Sequence, residues 1–82
     1  MQTTFDKLAD LLVTKFQVDR SEIRPDVTFE DLDMDSLFLV ELLLVVQSDL
    51  GVKVSDSSAS PRDTLGRAAE LIDEYAAAAQ AS

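Results

Sequence analysis

Cysteine, histidine and tryptophan are all absent from this 82-residue chain. Without cysteine it can form neither disulfides nor thiolate metal sites, and nothing points to an oxidising compartment. Without histidine it lacks the commonest general base and the commonest neutral metal ligand. Two glycines in all leave no glycine-rich loop to cradle a phosphate. The longest apolar stretch, Leu37 to Val46, is interrupted by Glu41 and is too short to span a bilayer. The first residues, Met1-Gln2-Thr3-Thr4-Phe5-Asp6-Lys7, lack the basic start and apolar run of a signal peptide. A chain of this length makes one domain, residues 1–82, with one small core and no deep cleft. The expectation is a monomeric, cytoplasmic protein that is not an enzyme, with no catalytic residues and no resident metal.

Positive charge is scarce too, and unevenly so. The segment from Pro25 to Val52 holds seven acids (Asp26, Glu30, Asp31, Asp33, Asp35, Glu41 and Asp49) and no Lys or Arg. The rest of the chain sets nine acids against seven bases, so seven units of the net −9 sit in one continuous third. Such a surface repels nucleic acid and anionic membrane, and it steers basic protein partners. Acidity also keeps small proteins soluble, but solubility alone does not empty one segment of every base.

Four helical segments can be read from spacing. The first spans Thr4 to Phe16, with Phe5, Leu8, Ala9, Leu12 and Phe16 at helical intervals and Thr3 and Asp6 placed as a capping box. A long connection follows, residues 17–35, which Pro25 keeps from being a continuous helix and which Val18, Ile23, Val27, Phe29 and Leu32 can pin to the core. The second helix spans Ser36 to Leu50, with Ser36 as its capping residue and Gly51 as its stop. Val52 and Val54 read as extended, and the polar stretch from Ser55 to Ser60 has room for one short turn of helix. The last helix starts at Thr64 or, equally lawfully, at Ser60, and runs to about Ala79, with residues 77–82 as a fraying tail.

The second helix is too apolar for its place. Ten of its fifteen residues are Leu, Val or Phe, more than one buried stripe requires. Leu39, Leu42, Leu43, Val46 and Leu50 share one arc and belong to the core. Opposite them lie Leu37, Val40, Glu41, Leu44, Gln47 and Ser48, with Phe38 and Val45 on a flank between. An exposed arc carrying Leu37, Val40 and Leu44 reads as a docking face.

Little chemistry remains available. The alternation Asp31-Leu-Asp33-Met-Asp35 invites comparison with a calcium loop, but Ser36 stands where the required Gly would be and Leu42 where the Glu would be. Ser36 is different. It closes the acidic loop and opens the apolar helix, where free N–H groups and the helix dipole favour an anion. Taken alone it is as readily a plain helix cap.

Asp35-Ser36-Leu37, preceded by Phe29-Glu30-Asp31-Leu32 and followed by Val40-Glu41-Leu42, resembles the phosphopantetheine attachment site of acyl carrier proteins. Asp19 to Pro25 with Phe29 is similar to the family's long first loop. Gly51-Val52-Lys53-Val54 is similar to the entry to its short third helix, and Asp63-Thr64-Leu65 to the start of its fourth. Asp33 stands where the family usually has Gly, and Asp is among the less costly residues at positive φ. Phe38, Gln47 and Ser48 depart from the usual polar and acidic residues of fatty-acid carriers.

The resemblance implies an all-α fold, a four-helix bundle with a long first loop and a short third helix. It implies that Ser36 carries a covalent 4'-phosphopantetheine arm from coenzyme A, placed by a phosphopantetheinyl transferase, with Asp35 helping to hold that enzyme's magnesium. Acyl groups would ride on the arm's thiol as thioesters, partly sheltered by the apolar core. Ketosynthases, acyltransferases and reductases with basic docking surfaces would meet Leu37, Val40, Glu41 and Leu44. The departures favour a discrete carrier of a polyketide or related secondary pathway over primary fatty-acid synthesis. A peptidyl or aminoacyl carrier, or an unmodified helical adaptor, is the alternative.

Overall fold

A computed structural model describes residues 3–55 and 58–81, with the side chains of residues 79–81 left aside. Its α-helices are α1 (Thr4–Phe16), α2 (Ser36–Leu50) and α3 (Leu65–Ala81), and single 3-10 turns lie at Arg20–Glu22 and Glu30–Leu32. The expected four-helix bundle is therefore corrected to three helices with 3-10 turns among the described residues. The missing element is the short third helix. Asp56 and Ser57 of that stretch lie outside the described residues. Beside them the chain makes a single short-range bond, Ser58 N–H to the Ser55 carbonyl at 3.0 Å. Serine side chains compete with the backbone for hydrogen bonds, and Pro61 has no N–H to carry a helix onward, so the segment does not propagate.

The other two helices expected before it keep their bounds, because both ends of each carry strong local signals. Thr3 and Asp6 form a reciprocal capping box, the Asp6 N–H donating to Thr3 Oγ1 at 3.1 Å and the Thr3 N–H to Asp6 Oδ2 at 3.2 Å. The C-cap of α1, Gln17, takes a left-handed conformation, as does Gly51 at the end of α2, where φ is +70°.

The long first loop is held at both levels. Val27 and Phe29 are buried, and Val18, Ile23 and Leu32 pack partly buried against the core. Met34, which the spacing argument passed over, is buried as well. The loop backbone then completes the start of α3. The Leu65 N–H donates to the Val27 carbonyl at 2.8 Å and the Gly66 N–H to the Pro25 carbonyl at 3.0 Å, satisfying donors that a helix N-terminus leaves open. Gly66 is needed for this approach, since a Cβ there would sit 3.0 Å from the Pro25 oxygen. Thr64 caps α3 through the Arg67 N–H at 3.1 Å, which decides between the two starts. Ser60 and Asp63 still pair as a box, the Ser60 N–H donating to Asp63 Oδ2 at 3.1 Å, but they close a turn before the helix. The helix continues through Ala81 along an alanine-rich stretch of high helix propensity.

Helix α1 packs on both α2 and α3. Leu8, Leu12, Phe29, Leu42, Val46 and Leu65 are the largest fully buried side chains, each contributing roughly 1.5–3 kcal/mol by leaving water. No polar or charged side chain is buried among the described residues. At the first 3-10 turn the Asp19 carboxylate accepts from the Ser21 N–H and then its hydroxyl, which holds its pKa below the ordinary value. No helix is long and apolar enough to cross a membrane among the described residues.

Candidate functional site

The junction between the acidic loop and α2 is built by three consecutive devices. Thr28 and Asp31 exchange hydrogen bonds, the Asp31 N–H to Thr28 Oγ1 at 3.1 Å and the Thr28 N–H to Asp31 Oδ2 at 3.2 Å. Asp33 then turns the chain with φ +60° and ψ +29°, its N–H bonded to the Glu30 carbonyl at 3.0 Å. An aspartate does serve at this left-handed position, as expected of the residue type. Asp35 follows in an extended conformation, and its Oδ1 accepts the Phe38 N–H at 3.1 Å.

Asp35 is thus the N-cap of α2, and the sequence expectation that Ser36 caps the helix is corrected. Both residue types cap well, and their adjacency hid which one the backbone would choose. The consequence is chemical. Ser36 becomes the first residue of α2, exposed, and its hydroxyl makes no hydrogen bond among the described residues. Beside it opens a groove of about 230 Å³, lined by Ser36, Leu39, Val40, Leu43, Ala59 and Pro61. An exposed, uncommitted hydroxyl with open space beside it fits a long covalent substituent. Asp35 spends one carboxylate oxygen on the cap, so the other remains for a ligand.

Along α2 the two faces separate as the spacing predicts. Leu39, Leu42 and Val46 are buried, and Leu43 and Leu50 half-buried. Leu37 and Leu44 are 66% and 62% exposed, and Val40 39%. Glu41, Gln47 and Ser48 lie exposed with them. Phe38 is exposed too, and its ring meets Phe16 of α1 edge-on with centroids 6.4 Å apart. This carries the apolar surface from α2 onto α1. The signal was visible in the sequence only as an aromatic left on the flank.

The acids at the head of this face stand in water. Asp31, Asp33, Asp35 and Glu41 are all exposed, and no three acidic side chains gather closely enough to hold a metal ion among the described residues. Two of the seven acids in the base-free third find cations from outside it. Glu30 lies 3.5 Å from Arg62 Nε, and Asp26 lies 3.8 Å from Arg24 Nε. Both pairs are solvent-exposed and contribute little to stability.

The interior offers less shelter than the sequence suggested. The space enclosed between the helices is about 10 Å³, whereas the room lies at the surface. A second groove of about 460 Å³ runs beside α2 between Val40, Leu44 and Gln47 on one side and Lys53, Val54 and Tyr75 on the other.

Comparison with known proteins gives the same region weight. A family model described as "Phosphopantetheine attachment site" matches residues 6–72. An acyl carrier protein of Lactobacillus johnsonii is 36% identical over 72 residues, covering 87% of this chain and 90% of the relative. Acyl carrier proteins from two strains of Clostridium perfringens are also 36% identical over 72 residues, covering 87% of this chain and 95% of each relative.

Proposed function

This chain belongs to the phosphopantetheine-attachment family of acyl carrier proteins, and on that premise we propose that Ser36 is the residue that takes the arm. Membership makes it a carrier and not a catalyst, with 4'-phosphopantetheine as its covalent cofactor and acyl groups as its cargo. When bound, the arm supplies the thiol that a chain without cysteine lacks. Phosphopantetheinyl transferases and synthase-type enzymes are the partners that such a carrier meets.

One observation supports Ser36 above the other serines. Asp35 takes the capping role, so the Ser36 hydroxyl stands exposed at the first residue of α2 beside an open groove. Transfer exchanges its proton for the phosphopantetheinyl group of coenzyme A. The positive end of α2 favours the phosphodiester that results. The free carboxylate oxygen of Asp35 assists by helping to hold the transferase's magnesium.

Partner enzymes of basic surface dock on Leu37, Val40 and Leu44 with Glu41 among them, and on the acids Asp31, Asp33 and Asp35 at the head of the helix. The whole chain, 1–82, acts as one carrier domain. Its pathway is a polyketide or related secondary one rather than primary fatty-acid synthesis. Uncharged Gln47 and Ser48 on the exposed face and the exposed ring of Phe38 support that reading.

Incubation with coenzyme A and a broad-specificity transferase, followed by intact-mass and peptide mass spectrometry, tests the attachment. The wild type gains one phosphopantetheine and Ser36→Ala gains none. Modification mapped to Ser48 or Ser55 overturns the assignment.

A further inference from the structure

The two grooves beside α2 are continuous, since Val40 and Leu43 line both. The enclosed interior, at about 10 Å³, is at the lower limit of what a single water occupies, so cargo at rest has room only at the surface. Gln47, at the far end of the larger groove, lies three turns along α2 from Ser36, about 16 Å at 1.5 Å per residue.

The walls of that larger groove differ. Val40, Leu43 and Leu44 make one side apolar, while the far rim carries Gln47, Lys53 and Tyr75. Tyr75 Oη lies 2.7 Å from Ser58 Oγ. One hydroxyl donates in that bond, which leaves the proton of the other for a ligand. Lys53 is the only base between Arg24 and Arg62, and it makes no ion pair among the described residues. A saturated chain laid along this groove desolvates those donors and offers them no acceptor. A chain bearing carbonyl or hydroxyl oxygens covers Val40, Leu43 and Leu44 with its methylenes and gives the rim its partners.

We infer that this carrier is built for acyl chains bearing oxygen functions along their length, and that Tyr75, Lys53 and Gln47 distinguish them from saturated chains. The inference rests on Ser36 as the attachment residue. It makes the groove a specificity device and not a neutral shelter.

The test loads the full chain from two coenzyme A thioesters of equal chain length, one saturated and one carrying a ketone remote from the thioester. Cleavage of each thioester by hydroxylamine is timed against the same pair on free pantetheine, and backbone amide resonances are recorded. The ketone-bearing chain should be cleaved roughly fivefold more slowly than the saturated one, the factor a single net hydrogen bond provides. It should also shift the amides of Gln47, Lys53 and Tyr75, which the saturated chain leaves in place. Tyr75→Phe and Lys53→Gln should each narrow the difference between the two chains, a ratio taken within one variant and so indifferent to its overall stability. Equal protection and equal shifts in the wild type, with the load mapped to Ser36, overturn the inference and leave the attachment reading standing. No mass gained at Ser36 overturns both.

Discussion

Helices α1 and α2 are similar in length, start from a side-chain cap and end on a left-handed residue, yet they distribute their apolar side chains in opposite ways. In α1 the buried residues Leu8, Ala9, Leu11 and Leu12 lie on one side, and the exposed positions are polar, Asp6, Lys7, Thr14 and Lys15. In α2 only Leu39, Leu42 and Val46 are fully buried, while Leu37, Phe38, Val40 and Leu44 face outward. Folding needs one apolar stripe from each helix. The second apolar side of α2 serves nothing inside the domain, so its use lies in what binds there. That surplus, and not the core, is where a carrier's partners are written.

The comparison can be broken most directly at the buried positions. Leu12→Ala in α1 and Leu42→Ala in α2 should each cost ~2–5 kcal/mol in denaturant unfolding, because both residues are essentially fully buried. Costs well below that range at Leu42 would mean that α2 contributes no more to the core with its inner face than with its outer one.

The caps come next in size. Thr3→Ala and Asp35→Ala should each cost ~1 kcal/mol, as each removes the side-chain acceptor for a first-turn N–H. Ser36→Ala should stay within ~0.5 kcal/mol, the range of surface changes that touch no special feature. The same variant that abolishes modification should therefore fold as well as the wild type. A Ser36→Ala cost equal to that of Asp35→Ala would hand the cap back to the serine and remove the structural reason for its free hydroxyl.

Much of this was legible in the residues because the signals were local. Thr3 with Asp6 and Gly51 mark helix ends through their own backbone chemistry, and Asp33 at positive φ follows from its residue type. Asp35 and Ser36 compete for one role with similar strength, and only the backbone conformation of Asp35 separates them. The fourth helix failed for the converse reason. A family pattern suggested it, but serines and Pro61 gave it no propensity of its own. The docking of the first loop onto α3, by the carbonyls of Pro25 and Val27, is a backbone matter that no side-chain pattern announces. The polar rim of the groove joins Gln47, Lys53 and Tyr75 from three separate segments, so spacing along the chain could not assemble it.

The smallest effects on folding should be the largest on recognition, and they sharpen the comparison at the outer face of α2. Leu44 is 62% exposed and Glu41 is exposed beside it, so Leu44→Ala and Glu41→Lys should each change unfolding stability by no more than ~0.5 kcal/mol. Their effects on a basic partner such as the transferase should part company. Glu41 adds its charge to Asp31, Asp33 and Asp35 at the head of the helix, and such a field sets the encounter rate at distances up to a Debye length of roughly 8 Å in physiological salt. Glu41→Lys should therefore slow association, with the deficit shrinking as salt is raised. Leu44 acts only on contact. Leu44→Ala should quicken dissociation with little dependence on salt, since burying its side chain against a partner is an apolar gain. Stopped-flow binding across a salt series reads both. Should Leu44→Ala instead cost ~2–5 kcal/mol of folding stability, the residue belongs to the core. The docking face would then move to Phe38, whose ring already leans on Phe16 of α1.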